Sequence, residues 1–473
     1  MSTECTAIGM SFQGLGRRRV EAAFDGGHVS SDGGALLLRE AADAIGLFGL
    51  LSDCFTDLRD QRRTEHTVEE LVAQRILGLA LGYEDVNDHS TLRDDPLLAL
   101  AVGKRDPLGQ SRPRTRDQGR SLASHSTLHR LENAGSVYEP KRRDLKILHD
   151  PLLIEDLLVD LFLDAHAEAP ASIVLDVDGK HDPLHGKQEG RFYHGYYGCY
   201  CYLPLYIFCG EHLIASKLRT SDREDAHGAL DELVRVVAHI RSRWPDVKIL
   251  IRGDSGFCRM PILRWCEETD GVDYVIGLAK NARLKAAVTD SMARVVADVK
   301  NSGKSARCFE ELRYKTLKTW QIERRVVAKV EAIPGKANHR FIVTSLSADE
   351  HPGKQLYEDV YCIRGDMENR LKEQQLGLFS TRTSATKMRA NQLRLFFSSI
   401  AYVLLSTLRR LGLQRTELAK VQAWTLRTRL LKVGAVITVS VRRVRIRLAS
   451  AFPLAHVWRQ ALRQIHASAP MVF

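Results

Sequence analysis

VKILIRGDSGF, which spans Val247–Phe257, is an apolar run that ends in an aspartate bracketed by glycines. Its ILI segment places apolar side chains on both faces of a strand, which is typical of a central strand covered on each side. The carboxyl end of such a strand is where α/β sheets place their chemistry. Asp254 is therefore a candidate site residue, and an aspartate with a purely structural role in the turn is the plain alternative.

The segments around this strand predict further strands and a helix. ASIVLDVDG (Ala171–Gly179) reads as a strand, and GCYCYLPLYIFCG (Gly198–Gly210) and EHLIASKLRT (Glu211–Thr220) read as two more, in an antiparallel meander. Ala226–Pro245 has the apolar spacing of an amphipathic helix, and DYVIGLA (Asp273–Ala279) is another strand. This alternation predicts an α/β fold with helices packed on a mixed sheet.

The regions before and after these segments have different predicted secondary structure. Residues up to about 135 read as mainly helical, with Asp32 as a helix cap and Thr67 with Glu70 as a capping box. Between residues 280 and 346 two segments alternate with period two, which predicts a strand-rich insertion. From Tyr357 onward the pattern is helical again, and a basic tail strand follows near the end.

The amino-acid composition limits which binding partners and which cellular compartment we expect for this chain. The chain has 473 residues and a formal net charge of +11, a surplus that favours a polyanionic partner, nucleic acid first and an anionic membrane second. Nine cysteines without a CxxC pair indicate a reduced, cytosolic chain. The most apolar stretch, Leu393–Leu408, is too short and too polar to cross a bilayer, and the first residues lack a secretory apolar region. We expect a cytoplasmic protein without a membrane partner.

Two aspartates close the strand at 171–179. Asp176 and Asp178 lie two residues apart, so their side chains project from the same face of the strand. Two carboxylates directly after an apolar run need a partner or a function. In the plainer interpretation both are structural: one caps a helix or a turn and the other forms an ion pair.

A stripe of polar side chains marks a later helix. Tyr361, Arg364, Glu368, Lys372 and Gln375 recur at steps of three and four, which places them on one helical face. A solvated face with ordinary ion pairs is the plain interpretation. The next helix is strongly apolar, however, so this region packs on a core, and a mixed-charge stripe there fits a helix that faces a metal ion and a phosphate.

These residues together resemble the DDE transposases of bacterial insertion sequences. In those enzymes an aspartate in a first strand, an aspartate after a later strand and a glutamate on a downstream helix occur in this order. Many also carry a Tyr–Arg–Glu–Lys signature around the glutamate, and Tyr361, Arg364 and Glu368 stand at its spacing. Gln375 stands where the signature has lysine, with Lys372 close by, which puts the role of the last residue in doubt.

The resemblance implies a fold and a division of the chain. It implies a ribonuclease H-like mixed sheet flanked by helices, interrupted by a β-rich insertion and preceded by a helical domain. The expected parts are a helical N-terminal DNA-binding domain (1–135), the first part of the catalytic core (136–279), the β-rich insertion (280–346), the second part of the core with the glutamate helix (347–410) and a basic C-terminal region (411–473). A helical accessory domain is an equal alternative for the first of these.

The resemblance also implies the chemistry. Asp178, Asp254 and Glu368 would be the catalytic residues and the ligands of two divalent ions, Mg²⁺ by preference, with Mn²⁺ as a substitute. Asp176 is the alternative to Asp178 as the first carboxylate. Such a site cuts the DNA at the ends of the element and joins the freed 3′-hydroxyl to target DNA without a covalent protein–DNA intermediate.

Four further residues are expected to contact DNA. Arg364 and Lys372 would bind phosphate near the cut, and Tyr361 would contact the terminal nucleotide. In relatives a tryptophan of the insertion can hold a flipped base, and Trp320 is the candidate here, with burial in the core of the insertion as an equal alternative. The expected partners are double-stranded DNA, comprising the terminal inverted repeats and the target, and a second copy of the chain on paired ends.

Other functions fit the sequence less well. A related nuclease that cuts without strand transfer and a DNA-binding protein with an inactive site both stay open. Ser255 lies in a protease-like GDSG sequence, but Phe257 follows where that motif has glycine. The spacing of His181, His185 and His194 fits no compact zinc site.

Overall fold

The computed structural model describes residues 9–140 and 143–468 of the chain. Its strands are β1 (Met10–Leu15), β2 (Arg18–Ala22), β3 (His28–Ser30), β4 (Phe55–Asp57), β5 (Gly135–Ser136), β6 (Ile147–His149), β7 (Ser172–Gly179), β8 (Asp182–Pro183), β9 (Phe192–His194), β10 (Cys199–Tyr202), β11 (Leu205–Cys209), β12 (His212–Lys217), β13 (Lys248–Gly253), β14 (Val272–Leu278), β15 (Ala306–Tyr314), β16 (Arg324–Ile333), β17 (Lys336–Thr344), β18 (Ala435–Ser440) and β19 (Arg443–Leu448). Its α-helices are α1 (Ala35–Asp43), α2 (Leu47–Asp53), α3 (Val68–Leu81), α4 (His89–Leu92), α5 (Pro96–Val102), α6 (His125–Glu132), α7 (Pro151–Asp164), α8 (Ala229–Arg243), α9 (Met260–Glu268), α10 (Ala282–Ala287), α11 (Thr289–Ser302), α12 (Gly353–Gln355), α13 (Gly365–Lys372), α14 (Met388–Gly412), α15 (Ala423–Leu426) and α16 (Ala455–Ser468).

The chain divides into two compact units. The first comprises Met1–Gly135, Pro140–His149 and Leu404–Phe473, and the second comprises Ser136–Glu139 and Asp150–Val403. In the described parts of the chain, no helix combines the length and the apolar character that a membrane crossing requires.

One large mixed sheet organises the second unit. Its strands follow the order β12-β11-β7-β13-β14-β17-β16-β15. The central strands β7, β13 and β14 are parallel to one another, and β11 and β17 run antiparallel on either side of them. The predicted α/β class and the antiparallel β7–β11–β12 meander are therefore present.

Apolar side chains cover both faces of the central strands. Ile249 and Ile251 of β13 belong to a large core cluster that includes residues of α7, α8, α9 and α11. Leu250, between them, packs on the opposite cluster with Leu356 and Tyr357. Because successive side chains of a strand point to opposite faces, the ILI segment requires a layer on each side of the sheet.

Two features of this sheet differ from the sequence expectations. The segment 198–210 forms two strands, because Pro204 lies between β10 and β11 and cannot donate a ladder hydrogen bond. Only β11 joins the meander, whereas β10 lies in a separate sheet of order β8-β10-β9. The expected insertion is strand-rich, but its strands β15, β16 and β17 extend the same large sheet through the β14–β17 pair.

The first unit contains more sheet than expected. Besides its helices it has the β1–β2 hairpin and two small sheets, of order β19-β18-β3 and β4-β6-β5. The capping box at Thr67 and Glu70 is present. The predicted cap at Asp32 is wrong, because its buried carboxylate instead accepts a hydrogen bond from Tyr83 Oη at 2.6 Å and pairs with Lys432 Nζ at 2.6 Å.

Candidate active site

Parallel pairing brings the first two carboxylates to the same edge of the sheet. In the β7–β13 ladder Val177 stands opposite Gly253, so Asp178 and Asp254 follow at the carboxyl ends of adjacent strands. Asp254 then caps a short 3₁₀ turn, where its Oδ1 accepts a hydrogen bond from the Gly256 amide at 2.8 Å. The close approach of two residues 76 positions apart follows from strand pairing alone.

A continuous helical segment, Gly353–Gly377, supplies the glutamate. It begins with α12, continues through a π-helical stretch (Leu356–Tyr361) and a 3₁₀ turn, and includes α13 before a second π-helical stretch, Glu373–Gly377. Met367 and Leu371 are buried, which leaves Glu368 on the more exposed side of α13. Irregular turns of this kind occur often at functional sites, because they re-aim individual side chains.

Arg364 lies between the three carboxylates. Its Nη2 is 3.1 Å from Asp178 Oδ2 and 3.9 Å from Asp254 Oδ2, and its Nη1 is 3.0 Å from Glu368 Oε1. The side chains of Arg364 and Asp178 are 12% and 5% exposed, whereas those of Asp254 and Glu368 are 46% and 43% exposed. The cluster is therefore buried at its base and open toward solvent on the other side.

Burial dominates the electrostatics of Asp178. It raises the pKa of this carboxyl to about 6; nearby Arg364 opposes the rise and Asp254 adds to it. Its Oδ1 accepts a hydrogen bond from the Gly179 amide at 2.9 Å, while its buried Oδ2 has no hydrogen-bond partner among the described residues and lies 3.1 Å from Arg364 Nη2. A buried carboxylate oxygen without a donor is well suited to receive a cation.

Asp176 has a different role from Asp178. Its two oxygens pair with Arg252 Nε and Nη2 at 2.5 and 2.7 Å, and both side chains are buried. Arg252 stands opposite Asp176 in the β7–β13 ladder, and its Nη1 also donates to the Val360 carbonyl of the helical segment. Asp176 and Arg252 thus connect the sheet to the segment that carries Glu368, and geometry places Asp178 in the carboxylate cluster.

Gly277 of β14 is a site residue that sequence reasoning missed. A Cβ atom at this position would lie 2.7 Å from Tyr361 Oη and 2.9 Å from the Ser255 amide nitrogen. Tyr361 therefore packs directly against the backbone of the turn that holds Asp254. A glycine inside the apolar VIGL strand was the available signal, because strand glycines often mark a close backbone approach.

Gln375 and Lys372 occupy the end of the stripe. Lys372 is exposed on the last turn of α13. Gln375 lies beside Asp182, whose carboxyl is fully buried, and the amide partly opposes the effect of burial, which raises the pKa of Asp182 to about 8. The position that carries lysine in the signature therefore faces a buried acid here.

Trp320 is buried in the core. It is 5% exposed, its ring lies edge-on to Tyr314 at 5.8 Å between centroids, and the Arg324 guanidinium carbon is 5.0 Å from its ring centroid. It has no open face for a flipped base in this structure, which matches the core alternative for this residue.

The chemistry of the carboxylate cluster fits a hard divalent cation. In the described ranges no three His, Cys, Asp or Glu side chains are placed so that they could already hold a metal ion, and the Arg364 guanidinium stands among the carboxylates. The donor set nevertheless consists of carboxylate oxygens, the ligands that Mg²⁺ prefers. Asp178, Asp254 and Glu368 are the residues that would hold such an ion, and all three lie near the Arg364 guanidinium.

Comparison with known proteins gives one extensive match and two limited ones. Residues 12–470 match the family described as "Transposase DDE domain group 1". Protocadherin gamma-C4 from Homo sapiens and from Pan troglodytes is 32% identical over 165 residues, which are 34% of this chain and only 16% of the protocadherin. A cryo-EM structure of the piggyBac transposase synaptic complex with hairpin DNA aligns with 85% of this chain and 80% of its own, at 13% identity and a TM-score of 0.39. The last two matches are too limited in coverage or in similarity to indicate a function.

Proposed function

The chain belongs to the family of group 1 DDE transposase domains, and from this premise we propose that it is a DNA transposase of a bacterial insertion sequence. It would cut at the ends of its element and transfer the freed 3′-hydroxyl into target DNA. The observation that carries this proposal is the meeting of Asp178, Asp254 and Glu368 at Arg364. The order of the meander, α8, β13 and β14 supports a ribonuclease H-like core as part of the same proposal.

Divalent ions bound by the three carboxylates would activate the attacking oxygen and stabilise the departing one in an in-line displacement at phosphorus. The chain's own residues prepare that site. Burial holds the Asp178 carboxylate in place before DNA binds. The 3₁₀ turn that Asp254 caps does the same for the Asp254 carboxylate. Arg364 has the position and the charge to contact a phosphate oxygen near the cut, and exposed Lys372 would contact another phosphate there.

We extend the proposal to the partners. Double-stranded DNA carrying the terminal repeats and the target is the expected substrate in the bacterial cytoplasm, and a homodimer on two paired ends is the expected assembly. The net charge of +11 supports binding to the phosphate backbone.

The test is cleavage of a DNA fragment that carries the element's own ends, with and without Mg²⁺. Wild type should cut only with the ion, and Asp178→Asn, Asp254→Asn and Glu368→Gln should each lower the rate by at least about 100-fold, as expected when a hard metal ligand is removed. Asp160→Asn, a half-exposed acid on α7, is the matched control and should cut normally.

A second readout separates the alternatives. Joined products with a target plasmid would establish strand transfer, whereas cleavage without joining would indicate a nuclease. Full activity in all three amide variants would overturn the assignment of the site, and DNA binding without any cleavage would favour an inactive DNA-binding protein.

A further inference from the structure

The β9–β10 hairpin, residues 192–202, exposes an unusual number of aromatic side chains. Phe192, Tyr193, Tyr196 and Tyr200 are 42%, 59%, 87% and 42% exposed. Tyr193 and Tyr196 are more than half exposed, and a group of four partly or largely exposed rings on one short hairpin indicates a binding surface. We call this element the tyrosine hairpin.

Its strand register arranges the rings for stacking. Tyr193 and Tyr200 are directly paired across the strands, so they share one face, with ring centroids 5.5 Å apart in an edge-to-face arrangement. The Arg191 guanidinium carbon lies 4.0 Å from the Tyr200 ring centroid. Tyr196 extends from the turn between the strands. The surface thus combines flat π-faces with a stacked cation.

The charges around the hairpin favour a nucleic acid over an apolar protein partner. Lys180, Lys187 and Arg191 occur in the segment that leads into it. Glu189 in the same segment already accepts the Met388 amide at 3.1 Å and lies 3.5 Å from Lys387 Nζ. Aromatic platforms flanked by cations bind single strands, because each base offers a π-face and each phosphate a charge.

The hairpin is connected to the carboxylate cluster. β8 starts three residues after the end of β7, the strand that carries Asp178, and it pairs with β10 of the hairpin. Tyr197, in the turn, stacks on His181 with ring centroids 4.1 Å apart and planes 16° from parallel. Burial raises the pKa of Tyr197 to about 12, and the charge of Asp225 and, more weakly, the Tyr196 phenol and the charges of Asp178 and Asp254 add to the rise.

We propose that the tyrosine hairpin binds two or three unpaired nucleotides of a DNA strand by stacking their bases on Tyr193, Tyr196 and Tyr200. The inference rests on the proposed function for the identity of the strand, which is the DNA end next to the cut. The proposed surface for base stacking is thus the exposed tyrosine hairpin, and not Trp320, which is buried in the core.

Binding of labelled oligo(dT)20 and of a 20-base-pair duplex, measured by fluorescence anisotropy in EDTA, tests this proposal without any cleavage step. The triple variant Tyr193→Ala, Tyr196→Ala, Tyr200→Ala should bind oligo(dT)20 at least about tenfold more weakly, since one stacked base is worth about 5- to 150-fold in affinity. Duplex binding should change less than about twofold. The corresponding triple Phe variant keeps the rings and should bind like wild type.

Controls separate this inference from folding and from the proposed function. Phe24→Ala removes an aromatic side chain that is 96% exposed elsewhere and should leave oligo(dT)20 binding unchanged. Unchanged binding by the triple Ala variant, or equal losses in the Ala and Phe variants, would overturn the proposal. The proposal would also be overturned if sedimentation showed that the triple Ala variant no longer self-associates while it still binds oligo(dT)20.

The proposed function has a separate test. Absence of Mg²⁺-dependent cleavage by wild type would count against the transposase assignment, whereas oligo(dT)20 binding in EDTA does not depend on that result.

Discussion

At the scale of single residues, a missing side chain shapes the site. Gly277 lets Tyr361 Oη approach the strand and lets the Asp254–Ser255 turn fold against it, because no Cβ stands between them. Both neighbours would be displaced by one methyl group. The position of Asp254 thus depends on residue 277 being a glycine, without a Cβ atom.

We predict that Gly277→Ala impairs catalysis and stability together. Overpacking of this kind costs about 1–3 kcal/mol, and the shift of the Asp254 turn should lower the Mg²⁺-dependent cleavage rate. Gly365→Ala is the matched control, since a Cβ there meets nothing within 4 Å and alanine suits a helix better. Chemical denaturation and the cleavage assay measure the two effects, and a Gly277→Ala variant as active as wild type would contradict the prediction.

We predict that Asp182 makes the stability of the folded state depend on pH. Burial raises its pKa from 3.8 to about 8, so the folded chain keeps the proton that the unfolded chain releases. The stability associated with the protonated form is complete below about pH 4 and falls as the pH rises toward about 8, by at most about 1.4 kcal/mol per pH unit.

The variant Asp182→Asn should remove this dependence. The amide has nearly the same shape but no proton to lose, so its stability advantage over wild type should grow between pH 5 and pH 8. Urea denaturation at several pH values measures the difference. A constant difference across that range would show that Asp182 is ionised in the folded chain.

At the scale of elements, the helical segment Gly353–Gly377 places charges against the sheet edge. Arg364 lies within 4 Å of three carboxylates, one on β7, one in the turn after β13 and one on its own helical segment, and Arg252 holds the same segment through the Val360 carbonyl. A single regular α-helix was expected over the Tyr–Arg–Glu stripe. The two π-helical stretches could not be foreseen, because spacing alone does not reveal inserted turns.

We predict that Arg364→Gln destabilises the metal-free protein. Three carboxylates then lose their shared cation, at a cost of about 1–3 kcal/mol, moderated because two of them are half exposed. Mg²⁺ should raise the melting temperature of this variant more than that of wild type. Arg307→Gln, which removes an exposed ion pair with Glu358 of the same segment, should change little. Equal melting temperatures of Arg364→Gln and wild type in EDTA would contradict the prediction.

The strand β19 carries a row of three arginines. Arg443, Arg445 and Arg447 are exposed and Ile446 and Leu448 pack into an apolar cluster, but Val444 is exposed, so the expected basic face is present and the apolar face only in part. Phosphate binding and protection of a sheet edge are the two roles such a row can have.

Salt dependence of duplex binding distinguishes these two roles. If the three arginines bind phosphates, changing all of them to Gln should lower the slope of log K against log salt by up to about 2.7, which is about 0.9 for each phosphate that the variant no longer neutralises. Changing all three to Lys should preserve the slope. An unchanged slope with increased aggregation of the Gln variant would assign the row to edge protection.

At the scale of the whole molecule, the local sequence pattern was enough to predict the central strands of the large sheet. Short apolar runs predicted β7, β13 and β14, and parallel pairing then explains why Asp178 and Asp254 adjoin. What escaped prediction depends on packing between distant segments. The burial of Asp182 beside Gln375 and the pairing of β17 with β14 have no local signature.

Direct binding of a divalent ion tests the central claim that Asp178, Asp254 and Glu368 form one metal site. Mn²⁺, followed by electron paramagnetic resonance of the free ion, is a suitable probe, with Asp160→Asn as the control. We predict saturable binding by wild type and the control, and a loss of at least about tenfold in affinity for Asp178→Asn, Asp254→Asn and Glu368→Gln. Wild-type affinity in all three amide variants would contradict the account.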